Sequence, residues 1–445
     1  MSKGKFYHTT PAYYVNDVPH IGHAYTEIAS DVIARFKRME GYDVFFVTGS
    51  DEHGNKIAQS AEQHGKKPKE WADTVVKKFE EAWKKLDISY DLLIRTTDDY
   101  HESGVRKLFE TIKDNGLIYL GDYEGWYCVP DEAFWTETQI VNGNCPDCGR
   151  PVERVKEKSY FFDALINYLT ACGYGNDEKR FREIWPPDLH LMGKEIMWFH
   201  TVIWPAMLMA AGLPLPKRVF GHGWWTVEGQ KMSKSLGNVV DPIELSNTYS
   251  ADAVRYFLLR EGVFGKDGDF SLSSMISRIN NELANDLGNL FSRTLAMIKK
   301  YNKGAVPRPA DNRPADEELL NMAKSLSARF KNQMEHLQFS FALEEIWSFV
   351  RRCNKYVEEN APWELAKSAE KKPRLETVLY NLAESLRIIT ILLAPFMPKA
   401  TLKMWSQLGL DNFAAVTFDE ADKWGLLREG TVTKPGEALF PKVKT

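Results

Sequence analysis

The chain has little of what a secreted, membrane-spanning or disordered protein requires. Its five cysteines are an odd number, and three of them, Cys128, Cys145 and Cys148, crowd into one short stretch. The opening MSKGKFYHTT carries no apolar run of signal-peptide length, so reduced thiols or a metal site are expected rather than a disulfide framework. The most apolar segment, Ile196 to Ala211, is broken by His200 and Pro205 and is too short to cross a bilayer. It is expected as a buried helix of an α/β domain. No internal repeat or low-complexity tract is present, and at 44% hydrophobic and 27% charged residues the composition leaves no room for long disorder. A net charge of -4 excludes a surface coated in positive charge, although a local basic face suffices for phosphate contacts. A cytoplasmic protein with no membrane association is expected.

What is present is enough chain, 445 residues, for two or three domains. Up to about Asp269, short β-rich runs alternate with helical stretches. KFYHTT and YDVFFVTGSD read as buried strands, Ile21 to Met39 runs at helical period and stops at Gly41, and DLHLMGKE reads as a further strand. That order predicts a parallel, doubly wound sheet. Residues 118–160 break the rhythm with strand-like runs, turn residues and paired cysteines, and read as a small inserted module. After Ser271 the pattern changes to long amphipathic helices, roughly 272–302, 315–336, 340–359 and 373–393, which predict a helical bundle.

Two short stretches carry chemistry. His20 and His23 flank Gly22 where the first strand turns into the first helix, at the edge where doubly wound sheets bind ligands and helix N-termini attract phosphate. GQKMSKSLGN, residues 229–238, sets Lys231 and Lys234 among serines between Gly229 and Gly237. This composition suits a mobile loop that brings positive charge to an anion and releases it. Either histidine alone would more often be structural; the pair together with the lysine loop is a stronger signal.

His20-Ile21-Gly22-His23 and Lys231-Met232-Ser233-Lys234-Ser235 resemble the two signature motifs of class I aminoacyl-tRNA synthetases. PAYYVNDVPHIGH, TGSDEHG, LMGKEIMWFHTVIWPAML, FGHGWWTVEGQKMSKS and NAPWELAK resemble methionyl-tRNA synthetases of bacterial type, over nearly the whole chain. The resemblance implies a Rossmann-like catalytic domain over 1–117 and 161–270, a zinc-knuckle insert over 118–160 and an all-α anticodon-binding domain over 271–445. It implies activation of L-methionine with ATP and Mg2+, then transfer to methionine tRNA with a CAU anticodon. His20, His23, Lys231 and Lys234 would gather the triphosphate charge while the carboxylate attacks in line, without a protein nucleophile. Asp51 matches the carboxylate that holds the substrate ammonium. Pro11, Ala12, Tyr14, Ala164, Tyr168, Ile196 and His200 match the methionine pocket, although from the residues alone Tyr14, Tyr168 and Ile196 read as core. Gly22, Gly193, Glu195, His222 and Gly223 match ATP-binding positions, with Glu195 a ribose partner. No large editing domain fits into 118–160, in contrast to synthetases for branched apolar amino acids.

Cys128-x-x-Asp131 and Cys145-x-x-Cys148 have zinc-knuckle spacing, with Asp131 where many relatives have Cys or His, so one structural Zn2+ or a metal-free remnant is expected. Asn289 and Arg293, four apart on one helix face, and Trp363 match anticodon readers, offering planar hydrogen-bonding groups and a stacking surface. A monomer is expected, since no C-terminal dimerisation or tRNA-binding extension follows.

EKSYFFDALINYL departs from the family pattern. Relatives place several tens of residues between the SYFF-like strand and the FDAL-like helix, including a Trp that closes the methionine pocket, where this chain offers Phe161. Two readings follow: a working synthetase, or a tRNA-binding derivative with impaired activation. A nucleotidylyltransferase sharing the histidine motif is disfavoured by the bundle and by NAPWELAK.

Overall fold

The computed structural model describes residues 2–118, 123–128, 133–146, 149–157, 164–232 and 237–444. A five-stranded sheet organises the first half. Its order is β3 (Leu92–Arg95), β2 (Asp43–Asp51), β1 (Lys5–Tyr14), then Leu189–Gly193 and Val219–His222. All four pairings are parallel, as expected for strands joined through helical crossovers. The central strands are buried, Tyr7 to Pro11 on β1 and Phe46 to Asp51 on β2, beneath the crossover helices. Helix α1 (Ile21–Met39) is the first of these, and its core side, from Ile21 through Ile28 and Val32 to Phe36, is buried.

Strand β1 runs further than KFYHTT suggests. Its register against β2 shifts between Thr9 and Ala12, so Pro11, which has no N–H to donate, sits in a bulge and the strand continues to Tyr14. This carries Ala12 and Tyr14 alongside Gly49 and Asp51 at the sheet's carboxyl edge.

The segment Ile196–Ala211 corrects an expectation. It is not a buried helix: Trp198 is 64% exposed and Met209 69%, while Trp204 and Leu208 are buried on the opposite side. A 3-10 turn ending at Ile196 leads into a wide π-turn over Phe199–Ile203, followed by the α-helix Trp204–Ala210. Pro205 cannot donate to the preceding turn, and the hydrogen-bond ladder changes spacing there.

Within residues 118–160 the described strands Ala133–Trp135, Tyr123–Cys128 and Glu153–Glu157 form a small antiparallel sheet. The second half is helical. Leu272–Tyr301 is continuous, with a π-turn over Ile279–Gly288, and is followed by Pro314–Glu335, Phe339–Asn360 and Lys372–Leu393. Every residue from Thr377 to Leu393 is buried, so this helix is the bundle's centre. Arg255, fully buried, joins the two halves: it pairs with Asp31 of α1 at 2.6 Å and donates to the carbonyls of Pro395 at 2.8 Å and Phe396 at 2.9 Å. Among the described residues no helix is long and apolar enough to cross a membrane.

Candidate active site

His20 caps α1. Its Nδ1 accepts the Gly22 N–H at 3.1 Å, while the His23 Nδ1 accepts the His20 N–H at 3.2 Å. The two rings stack with centroids 3.9 Å apart. With both Nδ1 atoms accepting, each neutral ring carries its proton on Nε2, leaving that N–H to donate. Burial lowers the pKa of His20, although Asp17 and Glu195 pull it part of the way back. Burial and the neighbouring His20 push His23 well below the usual range. Both are therefore neutral donors near pH 7 rather than cations. A Cβ at Gly22 would lie 2.9 Å from the His20 ring, so a side chain there would displace it.

The end of Val219–His222, two strands from β1 in the sheet, reaches α1. Thr26, one turn beyond Gly22, donates to His222 Nε2 at 2.7 Å, and His222 Nδ1 donates to the Gly223 carbonyl at 2.8 Å. Both His222 nitrogens are thus engaged inside the protein, which restricts any ligand to its ring face and edge. A Cβ at Gly223 would fall 2.2 Å from the Lys266 carbonyl carbon, so the backbone crossing there demands glycine. Glu195, exposed beside Gly193, accepts the Trp224 indole N–H at 2.7 Å. Lys231 ends a short strand paired with Thr226. Lys234 lies outside the described residues.

A second group gathers around Tyr168, fully buried. Its hydroxyl donates to His200 Nε2 at 2.7 Å, and His200 Nδ1 donates to the Ile196 carbonyl at 2.9 Å. Burial holds His200 down at about 4, so it stays a neutral acceptor. Tyr7 of β1 donates to the Tyr168 carbonyl at 2.7 Å and ties this group to the sheet. Ala164 lies in the turn just before Tyr168. Asp51, buried at the end of β2, accepts the His53 N–H at 3.3 Å, and Pro11, Ala12 and Tyr14 stand beside it on β1. Next to Asp51, Glu52 is held by Arg95 at 2.5 and 2.9 Å.

Sequence reasoning missed Thr26 and Glu27. Buried Glu27 accepts from Thr10 at 2.8 Å and Thr48 at 2.7 Å, and desolvation raises its pKa to about 7. Three hydroxyl and carboxyl groups scattered over β1, α1 and β2 leave no local pattern to find.

In the bundle, Arg293 lies 5.8 Å from the Trp363 ring centroid and pairs with Glu358 at 2.9 Å. Asn289 sits one turn before Arg293 and donates to Asn285 at 3.5 Å. Trp363 is 37% exposed, which removes the reading of it as a core residue.

Cys128 and Cys145 are buried in one small cluster with Val152, against Trp126, Trp135 and Ile140. The Cys145 carbonyl accepts the Gly149 N–H at 2.9 Å, and the Cys145 N–H donates to the Arg150 carbonyl at 2.8 Å. Asp131, Cys148 and Phe161 lie outside the described residues, and among the described ones no group of three or more His, Cys, Asp or Glu side chains is placed to hold a metal.

The chain matches the family model of class I tRNA synthetases (M) over residues 6–160 and 151–295, and that of the anticodon-binding domain of tRNA ligases over 316–432. It is 51% identical to the methionine–tRNA ligase of Caldanaerobacter subterraneus subsp. tengcongensis, across 99% of this chain and 79% of that one. The chain belongs to the methionyl-tRNA synthetases. The Bacillus subtilis methionine–tRNA ligase is 42% identical over 99% of this chain and 78% of its own length. Among solved structures, the Mycobacterium tuberculosis methionyl-tRNA synthetase in complex with methionyl-adenylate superposes with a TM-score of 0.94 at 38% identity, covering 98% of this chain and 100% of that one. The chain therefore has a class I catalytic domain with a parallel sheet and a helical anticodon-binding domain. The alignment with the Caldanaerobacter synthetase spans 508 residues, more than the 445 of this chain, so that synthetase carries residues this chain lacks. The synthetase family matches the chain in two pieces that overlap at 151–160, which takes in the start of EKSYFFDALINYL at Glu157.

Proposed function

We propose that the chain activates L-methionine with ATP to methionyl-adenylate and transfers it to methionine tRNA, in the cytoplasm. The observation that carries this is the paired N-terminus of α1. His20 and His23, neutral and stacked, keep their Nε2–H groups as donors at a helix end whose dipole favours phosphate. Neutral imidazoles supply hydrogen bonds rather than charge, so the cationic work falls to Lys231, Lys234 and the Mg2+ that accompanies ATP.

Asp51, at the carboxyl edge of β2, would hold the substrate ammonium. Tyr168 and His200 would line the side-chain pocket with Pro11, Ala12, Tyr14, Ala164 and Ile196, where a thioether packs against aromatic edges. Gly22 and Gly193 would let the nucleotide approach the backbone, Glu195 would take the ribose, and His222 with Gly223 would shape the adenosine site. The in-line attack then needs only positioning and charge stabilisation, with the lysine loop closing for the transition state and opening to release pyrophosphate.

Asn289, Arg293 and Trp363 would read the anticodon, the first two by hydrogen bonds to base edges and the third by stacking. The insert's Cys128, Cys145, Asp131 and Cys148 would hold one structural zinc; two thiols buried in one cluster suit such a site. Charging of tRNA with a CAU anticodon, against the same tRNA with that anticodon changed, tests the proposal. Loss of charging on the changed tRNA is expected, and equal charging of both would overturn anticodon reading. The alternative reading is a chain that binds tRNA without activating methionine, and methionine-dependent pyrophosphate exchange separates the two.

A further inference from the structure

At one end of the bundle a buried guanidinium ties four segments together. Arg374, 2% exposed, donates through Nη1 to the Asp311 carbonyl at 3.0 Å and through Nη2 to Asp316 at 3.0 Å. Its Nε donates to the side-chain oxygen of Asn360 at 3.2 Å, and its Nη2 makes a second, short bond to the same oxygen. Tyr356, also buried, donates to Asp316 and receives the Asn381 amide at 3.1 Å, while the Asn360 amide donates to the Tyr356 carbonyl at 2.9 Å.

Asn360 is the last residue of the helix Phe339–Asn360. The next residue, Ala361, is left-handed with φ 41°, a conformation that a non-glycine residue holds only when its surroundings fix it. Its carbonyl caps the following turn, accepting from Glu364 at 2.8 Å, and Pro362-Trp363 opens that turn. Only Ala361 and Pro362 separate the anchored Asn360 from Trp363. The direction of the indole, and its approach to Arg293, are therefore inherited from Asn360.

We propose that Asn360, clamped by Arg374, is a positioning residue for anticodon recognition: it holds the left-handed turn that aims Trp363 at the base stacked on it. The inference rests on the reading of Arg293 and Trp363 as base readers. Asn360 touches no RNA and acts through Trp363. Asparagine suits the position because one side-chain oxygen can take both guanidinium bonds while the amide stays on its own helix. Aspartate would keep the oxygen and lose the amide.

The test measures binding of CAU-anticodon tRNA by the full chain carrying Asn360→Ala, Asn360→Asp, Trp363→Ala or Asn360→Ala with Trp363→Ala. Asn360→Ala is expected to raise the tRNA Kd about 5-fold or more, the lower range of losing one stacked base. Methionine-dependent pyrophosphate exchange should be unchanged, and Asn360→Asp should bind close to the parent. In the Trp363→Ala background Asn360→Ala should add nothing, because the two act as one unit. Parent-like binding by Asn360→Ala, or full additivity in the double variant, would overturn the positioning role while leaving the anticodon reading in place. Parent-like binding by Trp363→Ala would overturn both. Should Asn360→Ala fail to fold, Asn360→Asp against Arg374→Lys supplies the comparison. Lysine offers one donor group in place of the planar fork, so Arg374→Lys is expected to lose tRNA affinity with exchange intact; equal affinity of these two would overturn the proposal.

Discussion

His20 and His23 cap the same helix end for each other, with Nδ1 of each accepting a backbone N–H and the rings 3.9 Å apart. The arrangement separates two consequences of substituting His20. His20→Ala removes both the cap and the Nε2–H donor, whereas His20→Asn keeps a capping oxygen. Both are expected to lower methionine-dependent exchange by about 100-fold, the usual loss for one transition-state donor. Only His20→Ala should also lose about 1 kcal/mol of stability in urea unfolding.

Buried Glu27 sets a pH dependence. Burial raises its carboxyl from 4.5 to about 7, opposed in part by bonds from Thr48 and Thr10. Between those two values the folded chain holds the proton that the unfolded chain has released. This contribution is therefore full below about pH 4.5 and is lost as pH rises through about 7. Glu27→Gln removes the titration. The parent's stability relative to the variant should fall between about pH 5 and about pH 8 by on the order of 3 kcal/mol. A flat difference in urea unfolding across that range would show that Glu27 ionises normally.

The β1–α1–β2 unit was legible because its apolar residues follow the periods of strand and helix. The histidine and lysine motifs were legible because each is short and contiguous. Other features were not. Pro11 reads as a strand end, yet a bulge carries β1 through it. Ile196–Ala211 reads as buried, but a segment apolar on all sides gives no sign of which face meets the core, and Trp198 and Met209 face outward. The pairing of Thr26 with His222 joins residues far apart in sequence, so nothing local announces it.

Arg255 joins the catalytic half to the bundle through four groups: Asp31 and the carbonyls of Leu86, Pro395 and Phe396. Arg255→Ala leaves Asp31 without that partner and three carbonyls short of a donor. The cost in urea unfolding should be about 3–5 kcal/mol, as for removal of one member of a buried pair. A loss below about 1 kcal/mol would place this junction among weak surface pairs.

The insert predicts its own metal content. If Cys128 and Cys145 share one ion with Asp131 and Cys148, purified chain should carry close to one zinc, and Cys145→Ser should release it. Elemental analysis of carefully prepared protein without zinc would leave these residues as a metal-free remnant of a knuckle.

Methionine activation by this chain is read directly from incorporation of labelled pyrophosphate into ATP without tRNA. Exchange is expected to require methionine and to collapse in Lys234→Ala, whose methionine Kd stays near the parent's because the charge is used in the transition state. A parent chain that binds CAU-anticodon tRNA but exchanges no pyrophosphate in the presence of methionine would overturn methionine activation and leave a tRNA-binding derivative.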